Sequence, residues 1–270
     1  MSGSTISALP IYKLVSGNED ARVLSFEKSD AQTRADIAYF SKNAPNIKTA
    51  DALLKDYRSL SIVLSAFGMT SALQQTALLK KLMTQDPTSK TSVAQHLANP
   101  TYLRFATAMA QFKTSPFANK ANVDAVVKAL GTQNYEASED MQAPGMADAL
   151  YFKRSIGTLT TVSQLMADPR LLKIAQVATN MPDQFGTLDY SFQVKLLSKQ
   201  ITMKNFQSSA YVDKFVGRYL TIASATTATL TDTTGALSIL SGSGSATNIL
   251  GALLPNESGK ANDPLLSLFA

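Results

Sequence analysis

His96 is the only histidine among 270 residues, and the chain has no cysteine. Those two counts remove several chemistries. Without thiols there is no disulfide and no thiolate metal site, and a lone imidazole cannot be completed by a second one into a zinc site. A Ser-His-Asp triad would have to recruit His96, yet no G-x-S-x-G turn exists to display a serine. His96 stands in Ala94-Gln95-His96-Leu97, which reads as the middle of a helix. The carboxylates form neither a metal-ligand cluster nor a two-carboxylate acid–base pair. The glycines from Gly235 to Gly251 lack the lysine-serine of a phosphate loop and follow no strand, so they read as linker. No catalytic, cofactor-binding or metal-binding residue is assigned, and no cofactor is expected.

The polar residues that do form a pattern form it twice. Ala35 to Met69 lies over Ala147 to Met181 without a gap, at an offset of 112 residues and with 12 of 35 positions identical. Asp36, Tyr39-Phe40, Asp56 and Arg58 return as Asp148, Tyr151-Phe152, Asp168 and Arg170. An internal repeat sets the architecture, so it is read before single residues. Duplicated acids suit a shared site, but local structure explains them more simply. Asp168 precedes Pro169, and Asp at an N-cap with Pro at the first helical position starts a helix. The match carries that start back to Asp56, where the first copy alone shows no break. Asn99-Pro100 is a third start of this kind. Asp56, Asp168 and Asn99 are therefore structural helix caps, with Gly68 and Asn180 as left-handed helix ends. Adjacent helical residues lie about 100° apart. An aromatic pair on a helix usually packs in the core; where one ring of each pair turns outward, Tyr39 and Tyr151 are the candidate interface residues.

The elements that place these residues are helices. Ser29-x-x-Gln32 and Ser71-x-x-Gln74 fit capping boxes. A weaker helix is expected over 89–97, and one from Asn122 to Leu130 that Gly131 ends. Further helices are expected near 146–155, 161–167, 169–179, 183–200 and 209–225, with Tyr211 as the counterpart of Tyr102. Alternating strand patterns and hairpin turns are scarce. The expected fold is all-α: two tandem related multi-helical units with a 112-residue period, plus a low-complexity C-terminal tail. The boundaries are an irregular lead-in over 1–28, unit 1 over 29–135, a linker over 136–145, unit 2 over 146–225, and a Ser/Thr/Gly-rich, low-charge tail over 226–270.

The net charge of +5 is scattered, with Lys80-Lys81 and Lys153-Arg154 its densest groups. It forms no basic run interleaved with aromatics, so nucleic acid is not an expected partner. No window approaches the ~18 apolar residues of a membrane span. The N-terminus has no basic segment followed by an apolar run, and no secretory signal is read there.

Four segments together resemble an uncharacterised, helical bacterial family whose members are often encoded among flagellar genes. They are Ala35-Asp-Ile-Ala-Tyr-Phe40, Ile47 to Arg58, Ala66-Phe-Gly-Met69 and Leu97-Ala-Asn-Pro-Thr-Tyr-Leu-Arg-Phe105, and the resemblance spans roughly 30–220. Val93-Ala-Gln-His-Leu97 departs from the family's F-A-x-x-L at the aromatic, and the second copy departs at Asn180-Met-Pro182. The resemblance implies a flagellar association and no catalytic residues. The expected function is a non-enzymatic structural or interaction protein with protein partners, flagellar components among them, placed in the cytoplasm or exported with the flagellum. The alternatives are an enzyme with a pocket between the units, drawing on the duplicated Asp, Arg and Tyr and on His96, and a weak nucleic-acid binder.

Overall fold

The structure, a computed structural model, describes residues 8–241 except Ala98, Gln111, Lys113 and Thr114, with backbone alone for Asp183 and 226–241. The described residues are helical throughout, with no strand. α1 (Ala8–Ser16) and α2 (Glu19–Ser29) precede α3 (Ala31–Asn43). A 3-10 turn at Ala44–Asn46 leads to α4 (Ala50–Lys55) and α5 (Tyr57–Ala66). Then come α6 (Thr76–Thr84), α7 (Val93–His96), α8 (Pro100–Met109), a 3-10 turn at Pro116–Ala118 and α9 (Lys120–Gln142). α10 (Met146–Ser155), a 3-10 turn at Ile156–Thr158, α11 (Val162–Ala167) and α12 (Pro169–Ala178) follow. The 3-10 stretches Asp183–Thr187 and Met203–Gln207 flank α13 (Tyr190–Gln200), and α14 spans Ser209–Ser241. The chain divides into two compact units, Met1–Ser224 and Ala225–Ala270. In the second, residues 225–241 are helical backbone. The expected tail therefore begins as helix, and its remainder, 242–270, lies outside the described residues.

Two hydrophobic cores lie within the first compact unit. Phe40, Leu53, Leu60, Leu64, Leu79, Phe105 and Phe117 build one; Tyr12, Leu150, Phe152, Leu165, Ile174, Phe206 and Tyr219 build the other. The element shared between them is α9. It sends Val123, Val126 and Leu130 into the first core and Tyr135 into the second. This corrects the linker expected at 136–145, since the helix runs unbroken to Gln142. Gly131 does not end it, because a glycine inside a helix costs only about 1 kcal/mol against alanine. Here the bare Cα is also occupied: a Cβ at Gly131 would meet Glu27 Oε1 at 1.9 Å.

Other expectations also change. The lead-in contains α1 and α2, and Tyr12 and Val15 of α1 belong to the second core. Ser29 ends α2; the cap of α3 is Asp30, whose Oδ1 accepts from Thr33 N at 2.7 Å. A carboxylate one residue later has displaced the hydroxyl. Ser71 lies in a 3-10 turn at Thr70–Ala72, and α6 starts at Thr76. In 89–97 only Val93–His96 is helical, because the Asp86 and Ser89 side chains hold the preceding residues in turns.

The Tyr102–Tyr211 pairing is replaced by another correspondence. The turn after α3 packs on Pro116–Ala118, as the turn after α10 packs on Met203–Gln207. Phe117 meets Phe40 edge-on at 5.3 Å, and Phe206 meets Phe152 edge-on at 5.6 Å. So α14 follows its 3-10 stretch as α9 follows its own. Tyr102 belongs to α8, which packs on α6, and only Ile201 and Thr202 stand between α13 and Met203–Gln207, where a counterpart of α8 would lie.

Candidate functional site

The recurring polar residues close into two sets of the same geometry. Thr49 and Thr161 cap α4 and α11; Asp56 and Asp168 cap α5 and α12. Asp56 accepts from Ser59 N at 3.1 Å and from the Ser59 hydroxyl at 2.6 Å. Asp168 accepts from Arg170 N at 3.0 Å and Leu171 N at 3.4 Å. Tyr39 donates to Asp56 at 3.1 Å, and Tyr151 to Asp168 at 2.6 Å. Arg58 Nε donates to Asp36 at 2.9 Å, and Arg170 Nε to Asp148 at 3.0 Å. Each guanidinium also covers the tyrosine ring of its own set, at 4.5 Å and 4.1 Å. The helix breaks match as well: Gly68 has φ +69° and Asn180 +53°. Asn99 caps α8 by accepting from Thr101 N at 2.9 Å.

These contacts shift the ionisation of Asp56, Asp148 and Tyr151. Burial alone pushes the Asp56 carboxyl up, but hydrogen bonds from Ser59 and Tyr39 outweigh it and hold it below its usual range. Asp148 is likewise held low, with Lys173 and Arg170 outweighing burial. The Tyr151 hydroxyl is pushed up by burial and by Asp168, so it remains a donor.

The second set extends into a network that the first lacks. Glu136, only 1% exposed, lies beneath Arg154 and Arg170, with Arg154 Nη2 at 2.5 Å from Oε1. Arg154 also reaches Glu19 at 2.7 Å, and Asp148 receives Lys173 at 2.8 Å and Tyr219 at 3.3 Å. Burial raises the Glu136 carboxyl against the pull of both arginines. Sequence reasoning missed Glu136 because it lies outside the repeated stretch, and the position 112 residues earlier is Leu24.

A cleft of about 410 Å³ opens on this network, with Arg104 of α8 on one side and Tyr151, Arg154, Gln164 and Asp168 on the other. It offers two guanidinium groups and one carboxylate, an arrangement suited to holding a small polar group by ion pairs. His96 is exposed at the end of α7 and does not line it. Among the described residues, no group of three His, Asp or Glu is placed to hold a metal, and no helix is long and apolar enough to cross a membrane. Tyr39 and Tyr151, the candidate interface residues, are half-buried under their arginines with their hydroxyls engaged inside the chain.

Residues 66–212 match the model of a family described as Protein of unknown function (DUF1217). The chain belongs to that family. The matched DUF1217 segment falls inside the 30–220 stretch that carried the resemblance. A crystal structure of a protein from Agrobacterium tumefaciens, a structural-genomics target, shares the fold with a TM-score of 0.69. The two are 20% identical, and the match covers 82% of this DUF1217 chain and 96% of the other. No curated protein matches.

Proposed function

We propose that this chain is a non-catalytic interaction protein that binds protein partners in or beside the bacterial flagellum. One observation carries the partner-binding part. The duplicated polar groups close on one another as caps and ion pairs, while the helices leave apolar grooves open. One groove, of about 440 Å³ between α5, α8 and α9, is lined by Ala66, Phe67, Ala108, Met109, Ala125 and Ala129. Another, of about 740 Å³, lies between α1 and α14. Apolar grooves between helices are the surfaces on which amphipathic partner helices are bound. The flagellar part is carried by the family resemblance. We read the matched Asp–Tyr–Arg sets as an internal duplication that supplied a rigid helical frame.

Crosslinking the full chain in flagellated cells, with fractionation into cell, supernatant and purified flagella, tests this. The chain is expected in covalent adducts with flagellar components. Adducts that contain none, together with normal flagella in a deletion strain, would remove the proposal.

A further inference from the structure

The groove between α1 and α14 differs from the other in its charge. Leu9 of α1 and Ala210, Gly217 and Thr221 of α14 form its surface. The α14 positions recur at seven and four residues, which places them on one helical face. Gly217 is buried under Leu9, whose Cδ1 would lie 3.1 Å from a Cβ there, while Ala210 and Thr221 are exposed and short, so the floor of the slot is shallow. Lys13 from α1 and Lys214 and Arg218 from α14 stand at the edges. All three are exposed, and none forms an ion pair with another described residue. The one carboxylate present, Asp213, is neutralised by Lys153 Nζ at 2.8 Å and receives the Tyr12 hydroxyl at 2.8 Å. An apolar slot is thus bordered by three cations that no described carboxylate pairs. From Ala210 to Thr221 the face rises roughly 17 Å, or about three helical turns.

We infer that this groove binds an amphipathic helix of a partner protein whose apolar stripe is flanked by Asp or Glu. The inference rests on the partner-binding reading above and names the partner's chemistry. A second copy of the chain is a poor occupant, since its net charge of +5 meets cations of the same sign.

Two synthetic helical peptides test this, identical in their leucine stripe and flanked by Glu in one and Lys in the other. Binding to the full chain is read by fluorescence anisotropy. The acidic peptide is expected to bind at least about tenfold tighter, and to weaken as salt shortens the screening length. The combined K13E, K214E and R218E substitutions are expected to invert the preference. Ala210→Trp, at an exposed position, is expected to abolish binding with the circular dichroism unchanged. Equal binding of both peptides, or acidic binding that survives both variants, overturns the assignment. So does a dimer in light scattering that the charge reversal dissociates. In-cell crosslinking of the charge-reversed chain separates the two levels. Adducts that persist in full overturn the groove assignment and leave partner binding standing; no adducts in either chain overturns both.

Discussion

Asp168 joins three roles in one carboxylate: it caps α12, accepts from Tyr151 and lines the polar cleft. Asp168→Ala removes a cap and leaves a half-buried hydroxyl without its acceptor, and should destabilise by about 1–3 kcal/mol. Asp168→Asn keeps an acceptor and should cost less than half as much. Urea unfolding measures both, and equal losses would contradict the capping role. This residue was legible in sequence because Pro169 follows it; Asp56 was legible only through the repeat. Glu136 was not, and its effect is seen in pH dependence. Its folded value lies above the ordinary 4.5, as do those of Glu19 and Glu27, all through burial first. A raised carboxyl favours the folded state when protonated, so stability should rise as pH falls through its folded value toward 4.5. Asp148 and Asp56 lie below their ordinary 3.8, so their contribution is present above 3.8 and lost as pH falls through their folded values. The melting temperature should therefore pass through a maximum in mild acid. Glu136→Gln should flatten its neutral-side slope, and an unchanged slope would assign that slope elsewhere.

At the scale of elements, α9 separates what the sequence shows from what it hides. Its apolar face is readable up to Leu130, after which Gly131 and a polar run imitate a linker. Continuity comes from tertiary contacts: Phe26 meets Tyr135 at 5.8 Å, and Glu136 lies under two arginines. No local propensity announces either. Ala137→Pro tests the helix directly. Inside an unbroken helix it should cost about 3 kcal/mol or more, whereas a cost within about 0.5 kcal/mol, as for ordinary surface substitutions, would restore the linker. α1 was hidden for a similar reason. Its role depends on Tyr12, Lys153 and Asp213, residues far apart in the chain. Tyr12→Phe should cost about 1 kcal/mol by losing the hydroxyl's bond to Asp213, and thermal unfolding reads it. The short α11–α12 pair, by contrast, was readable from its own caps and break, and the α4–α5 pair through its match to it.

Across the first compact unit, the two cores build a helical frame in which matched Asp–Tyr–Arg sets hold corresponding helices at corresponding breaks. That frame leaves one apolar groove between α5, α8 and α9 and another between α1 and α14. On the proposed reading the grooves, and not the polar cleft, meet partners. A photo-crosslinking residue placed at Ala210 in the α1–α14 groove, and separately at Thr158 beside the cleft, compares the two in flagellated cells. A discrete protein adduct containing a flagellar component is expected from position 210 and none from 158. An adduct from 158 alone would contradict that reading.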